Sequence, residues 1–104
     1  MPIKIGEHFF HGPFPTAEPV QHAPGIYLVI EEAKTRYIPI ACGHSDDLRK
    51  TLNEPDLEDR WQKKTAGKPL IAILYTVYME PEDREKILEK IRTKYHFRNR
   101  EEVI

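Results

Sequence analysis

Several things are scarce in this sequence, and each scarcity excludes something. There is one cysteine, Cys42, so neither an intramolecular disulfide nor a multi-cysteine zinc cluster can form. No stretch approaches the roughly 18 apolar residues that a membrane-spanning helix needs. The opening "MPIKIGEHFFHGPFP" lacks a long apolar core, so no secretory leader is expected and a reducing cytoplasm is expected by elimination. An excess of one charge is also missing: 16 basic residues face 17 acidic ones, for a formal net charge of −1. That balance gives no global pull towards nucleic acid or anionic membrane, so any nucleic-acid contact has to come from a local patch. The five histidines, His8, His11, His22, His44 and His96, have no ligand spacing on one element, and no zinc is expected.

What is present fits one compact domain. A chain of 104 residues buries a modest core, so most of its apolar residues are needed for packing. Residues 1–24 hold five of the nine prolines: Pro2, Pro13, Pro15, Pro19 and Pro24. Proline fixes φ and removes a donor, which argues against a long helix or a central strand there. Ile3, Ile5, Phe9, Phe10, Phe14 and Val20 are too apolar for a free tail. The expectation is an irregular arm over residues 1–23, laid on the domain.

"GIYLVIEE" is dense in β-branched and aromatic residues, and Ile26 to Ile30 do not alternate, so this strand is expected to be central. After a polar break, "YIPIACG" is a second strand. Pro39 places it at an edge, and Gly43 is expected to end it. Ser45 suits a helix N-cap, with Asp46 and Asp47 in the first turn and Leu48 and Leu52 on one face. Residues 57–67 form a second short helical piece, and "PLIAILYTVYM" a third strand. Pro81 opens the last helix, whose stripe is Ile87, Leu88, Ile91 and Tyr95; Arg84 lies in line with that stripe, an unusual place for a charge. The expected fold is α+β: a small three-stranded antiparallel sheet of order 2-1-3, flanked by helices, over residues 24–95. A charged tail follows at 96–104.

"PGIYLVI", "YIPIACG" and "HSDDLRKTL" in this order resemble the GIY-YIG nuclease superfamily, and "HGPFP" is similar to lead-ins seen in some domains of this kind. The resemblance spans roughly residues 24 to 95 and is carried by the hairpin, the Gly-x-Ser-x-x-Leu helix start and the element order. It implies a phosphodiester-cutting chemistry. A tyrosine activates water, an arginine stabilises charge growing on the phosphate, and a glutamate on the late helix holds one Mg²⁺. By resemblance, Tyr27 is the first tyrosine and Gly43, Ser45 and Leu48 match the helix start. The second tyrosine position holds Ala41, although Tyr37 would replace it in a register with a bulge. The arginine position holds Thr51, with Arg49 and Lys50 turned about 100° per residue away. Glu85 is the better-phased metal glutamate, Glu89 the other candidate.

The resemblance therefore implies a degenerate domain without conventional nuclease activity, contacting DNA or RNA through a surviving cleft. Two alternatives stand beside it. One is a Mg²⁺-dependent endonuclease with a rearranged site of Tyr27, His44, Arg49 or Lys50, and Glu85. The other is a protein-interaction module or homodimer using the arm and the edge strand. Individual residues also have plain readings. Tyr27 is equally a core tyrosine with its hydroxyl at the rim, His44 an ordinary loop histidine rather than a surrogate acid, base or phosphate contact, and Cys42 a buried small residue rather than a nucleophile. "RWQKKTAGK" carries Arg60, Lys63, Lys64 and Lys68 around Trp61, which is the ingredient of single-strand binding or an amphipathic helix with Trp61 inward. The cations Arg92, Lys94, Arg98 and Arg100 are expected near a helix C-terminus from the dipole alone.

Overall fold

The computed structural model describes residues 3–32, 37–54 and 69–95. The second short helical piece, the basic cluster Arg60, Lys63 and Lys64, and the charged tail lie outside the described residues. The described chain runs β1 (Ile3–Ile5), β2 (His8–Phe14), β3 (Gly25–Glu32), β4 (Tyr37–Ser45), α1 (Leu48–Leu52), β5 (Pro69–Tyr75) and α2 (Pro81–Lys94). The strands form one curled antiparallel sheet of order β1-β2-β5-β3-β4.

The fold is α+β, but the expected three-stranded sheet is wrong: the described residues form five strands, because the proline-rich arm is not irregular. Ile5 pairs with His8 across Gly6 and Glu7, and Gly6 takes the left-handed φ of 63° that a two-residue hairpin turn requires. The prolines are tolerated because they avoid the ladder. Pro13 sits where the β2–β5 register shifts between His11 and Phe14, and Pro15 lies just past the strand. Gly12, at φ 105°, is required there: a Cβ would meet the Ile71 carbonyl oxygen at 2.9 Å.

Two cores lie on the two faces of the sheet. One is built from Tyr27, Val29, Ile40, Ile71 and Ile73 under Leu48 and Leu52 of α1 and Val20 of the 15–24 segment. The other is built from Phe10, Ile26, Leu28, Cys42 and Ala72 under Leu88 and Ile91 of α2. Strand β3 serves both, with every residue from Gly25 to Glu31 buried. Segment 15–24 is tied down by two backbone bonds: the Leu48 N–H donates to the Ala23 carbonyl, and the Thr76 N–H to the Pro24 carbonyl, each at 2.9 Å.

Strand β4 runs on to Ser45 rather than ending at Gly43, because β3 keeps pairing with it out to Gly25↔Ser45. The helix cap consequently moves to Asp47, whose side chain accepts from the Lys50 N–H. Helix α2 begins at Pro81 with Glu82 and Asp83 in its first turn, matching the dipole. Among the described residues, no helix is long and apolar enough to cross a membrane.

Phe10 of the arm is fully buried in the α2-side core. Phe10→Ala is therefore expected to cost about 3–5 kcal/mol, as a core truncation does, where an arm merely laid on the surface would lose little. Urea unfolding of the two proteins measures the difference.

Candidate functional site

Strand alternation decides where each candidate goes. Tyr27 points to the α1 side and lies over Gly43, its partner on β4. The fit is close: a Cβ on Gly43 would stand 2.5 Å from the Tyr27 hydroxyl and 2.7 Å from the ring. The tyrosine is buried, with 8% of its surface exposed. Ser45 and Thr51 are on the same side, joined Oγ to Oγ1 at 2.6 Å, and Ser45 Oγ also accepts from the Asp47 N–H at 2.9 Å. The position where the family would hold an arginine is thus occupied by a hydroxyl already bonded to its neighbour.

His44 is one residue from Gly43 and so points the other way, to the α2 side with Cys42. There it meets the misplaced charge of the helical stripe. Arg84 is 4% exposed, and its Nη2 donates to Asp46 Oδ1 at 2.7 Å. Arg84 Nε donates to His44 Nδ1 at 3.4 Å, which requires that nitrogen to be the unprotonated acceptor. Glu85 Oε1 is 3.9 Å from His44 Nε2. Asp46, Arg84, His44 and Glu85 therefore form one polar cluster where β4 leaves the sheet and α2 begins.

The candidates are divided. Glu85 and His44 come together, but Tyr27 is on the opposite face of the sheet. Tyr37 does not take the place of the second tyrosine. A bulge does exist, between Val29 and Ile30, yet Tyr37 is opposite Glu32 at the far end of β3 while Tyr27 is opposite Gly43. Five residues of strand separate those rungs, about 17 Å. On α1, the buried positions are Leu48 and Leu52; Arg49 is half-buried at their flank and Lys50 is exposed on the outer side.

Among the described residues, no group of three or more His, Cys, Asp or Glu is placed to hold a metal ion. Glu85 adjoins a histidine that in turn accepts from a guanidinium, rather than further carboxylates. Cys42 is a buried free thiol whose pKa is pushed up by burial, the reverse of what a nucleophile needs. The member that sequence reasoning did not name is Asp46 as the partner of Arg84. Its only signal was Arg84 itself, a charge phased with leucine and isoleucine.

Two outcomes follow. Asp46 is exposed and Arg84 is buried, so losing either has unequal effects. Asp46→Asn leaves a buried guanidinium undercompensated and should cost about 1–3 kcal/mol. Arg84→Met leaves a solvated carboxylate and an apolar stripe and should fall within about 1 kcal/mol of the parent. Denaturant titration ranks them, and the reverse order would mean the pair is not the buried interaction described. The second outcome concerns Asp47, whose carboxyl is held below the usual carboxylate range by the Lys50 backbone N–H and then by His22, 3.0 Å away. A lowered folded pKa contributes stability that is present above the ordinary value of 3.8 and lost as pH falls through the folded one. Melting temperature should therefore fall less steeply below about pH 4 in Asp47→Asn than in the parent.

No family model, no curated protein and no solved structure matches this chain.

Proposed function

We propose that this protein is a degenerate relative of the GIY-YIG nucleases that contacts nucleic acid without cutting it. The non-hydrolytic part is supported by the division of the candidate groups. A one-site phosphodiester mechanism needs its water-activating tyrosine, its cation and its carboxylate around one phosphate. Here Tyr27 and Glu85 have a two-sided strand between them. The arginine of the cluster that contains Glu85 is Arg84, already held by Asp46 at 2.7 Å.

The binding part is carried by a row of lysines. Lys86, Lys90 and Lys94 recur every four residues along α2 and are all exposed. Four residues advance a helix by about 6 Å, so the three ammonium groups form a line about 12 Å long. Among the described residues none of the three makes an ion pair. Of the carboxylates along α2, Glu85 faces His44 and Glu89 is 4.0 Å from Arg92 Nη1, while Glu82 and Asp83 lie one turn before Lys86. Lys94 Nζ lies 5.7 Å from the Tyr95 ring centroid, and a line of exposed cations outside ion pairs is what backbone phosphates recognise, operating locally whatever the net charge. The exposed Lys50 and the basic cluster Arg60, Lys63 and Lys64 remain candidates for additional contacts.

Two measurements test the reading. With Mg²⁺ or Mn²⁺, supercoiled plasmid should be nicked no faster by the parent than by Tyr27→Phe or Glu85→Ala. Loss of a parental activity in either variant would overturn the non-hydrolytic part. Binding to a labelled single strand should weaken with salt at a log–log slope of about −2 if three phosphates are neutralised. Absence of binding at low salt would overturn the binding part.

A further inference from the structure

The lysine row borders a cleft that packing does not fill. It lies between the β1–β2 turn and the last turns of α2 and has a volume of about 170 Å³. Its floor is apolar, made by Ile5, Ile87 and Ile91, and Tyr95 closes one end. The tyrosine ring is held in place because its hydroxyl accepts from the Gly6 N–H at 3.3 Å. Lys90 and Lys94 stand at the rim, and Lys86, one turn back on the same row, does not reach the cleft.

We propose that this cleft receives one pyrimidine base of a bound single strand, with the adjoining phosphates on Lys90 and Lys94. The proposal rests on the binding reading above and specifies where a base is held. Three properties of the cleft support it. Its volume suits a single six-membered ring, since an apolar cavity of about 150 Å³ accommodates benzene. An apolar lining beside an aromatic ring suits the face of a base, and here Lys94 Nζ lies 5.7 Å from the Tyr95 ring centroid, so ring and cation stand together. The lining carries two lysines and His8 against one carboxylate, Glu7, a balance that suits an anionic nucleotide. Glu7 is exposed on the turn and supplies an acceptor for an exocyclic amino group, which favours cytosine over thymine.

The experiment uses the full chain and two fluorescein-labelled twelve-nucleotide probes at low salt: oligodeoxycytidine, and an abasic strand of the same charge. Anisotropy titration should show the cytidine probe binding at least tenfold more tightly. Ile87→Phe fills the cleft and should reduce cytidine binding to the abasic level. Glu7→Gln, on the exposed turn, removes a carboxylate that repels both strands alike, so the ratio of cytidine to abasic affinity should fall severalfold, and it keeps the test decisive if Ile87→Phe fails to fold. Lys90→Ala should lose more than Lys86→Ala on the cytidine probe. If the parent binds both probes equally, or if Lys86→Ala and Lys90→Ala weaken cytidine binding alike, the cleft is not a base site while the lysine row stands. If the parent binds neither probe, both proposals fall.

Discussion

Strand β3 is buried on both faces along seven consecutive residues, Gly25 to Glu31. Its two neighbours, β4 and β5, hydrogen-bond along both its edges, and each of its faces carries a separate core. A strand enclosed this way cannot share side chains between its faces: alternation sends Tyr27 and Val29 to α1, and Ile26, Leu28 and Ile30 to α2. Helix α1 caps one core and α2 the other. Every functional candidate on β3, β4 and the helices is assigned to a side by this constraint, and the polar residues cannot converge across it.

The polar cluster at the exit of β4 follows from the same constraint. Ser45 is held in the ladder opposite Gly25, so the chain must turn within Asp46 and Asp47 before α1. That turn presents Asp46 towards α2, whose first turns bring Arg84 inward beside His44. A guanidinium buried against an exposed carboxylate contributes little net stability, because its desolvation offsets most of the attraction. The contact joins the first turn of α2 to the exit of β4.

Much of this was legible in the sequence, for identifiable reasons. Unbroken apolar runs marked β3 and β5, Pro39 marked β4 as an edge, and Pro81 with its acidic neighbours marked the start of α2. The arm was misread because proline density outweighed a clear local signal: Ile3 and Ile5 alternate before Gly6, the residue that a two-residue hairpin turn needs. Prolines forbid only the ladder positions they occupy, and Pro13 occupies a register shift. The cap was displaced by two residues because Ser45 and Asp47 are both good capping residues, and only the β3 pairing decides between them. Arg84 was visible as an anomaly, but its partner was not, since Asp46 is 38 positions away and meets it only through tertiary packing.

The division of Tyr27 from Glu85 bears on one-site hydrolysis alone and leaves the proposed binding physically independent of it. Stabilising a transition state requires groups within hydrogen-bond distance of one reacting atom, so a single strand placed between them removes the effect. Binding a polyanion has no such requirement. It needs only cations spaced along a surface and free of nearer carboxylates, and their contributions accumulate over the length of the strand bound. The lysine row supplies exposed cations on a helix face that takes no part in either core. An arrangement unsuited to a one-site cut is therefore no obstacle to the proposed binding, whose cations lie on a different part of the same fold.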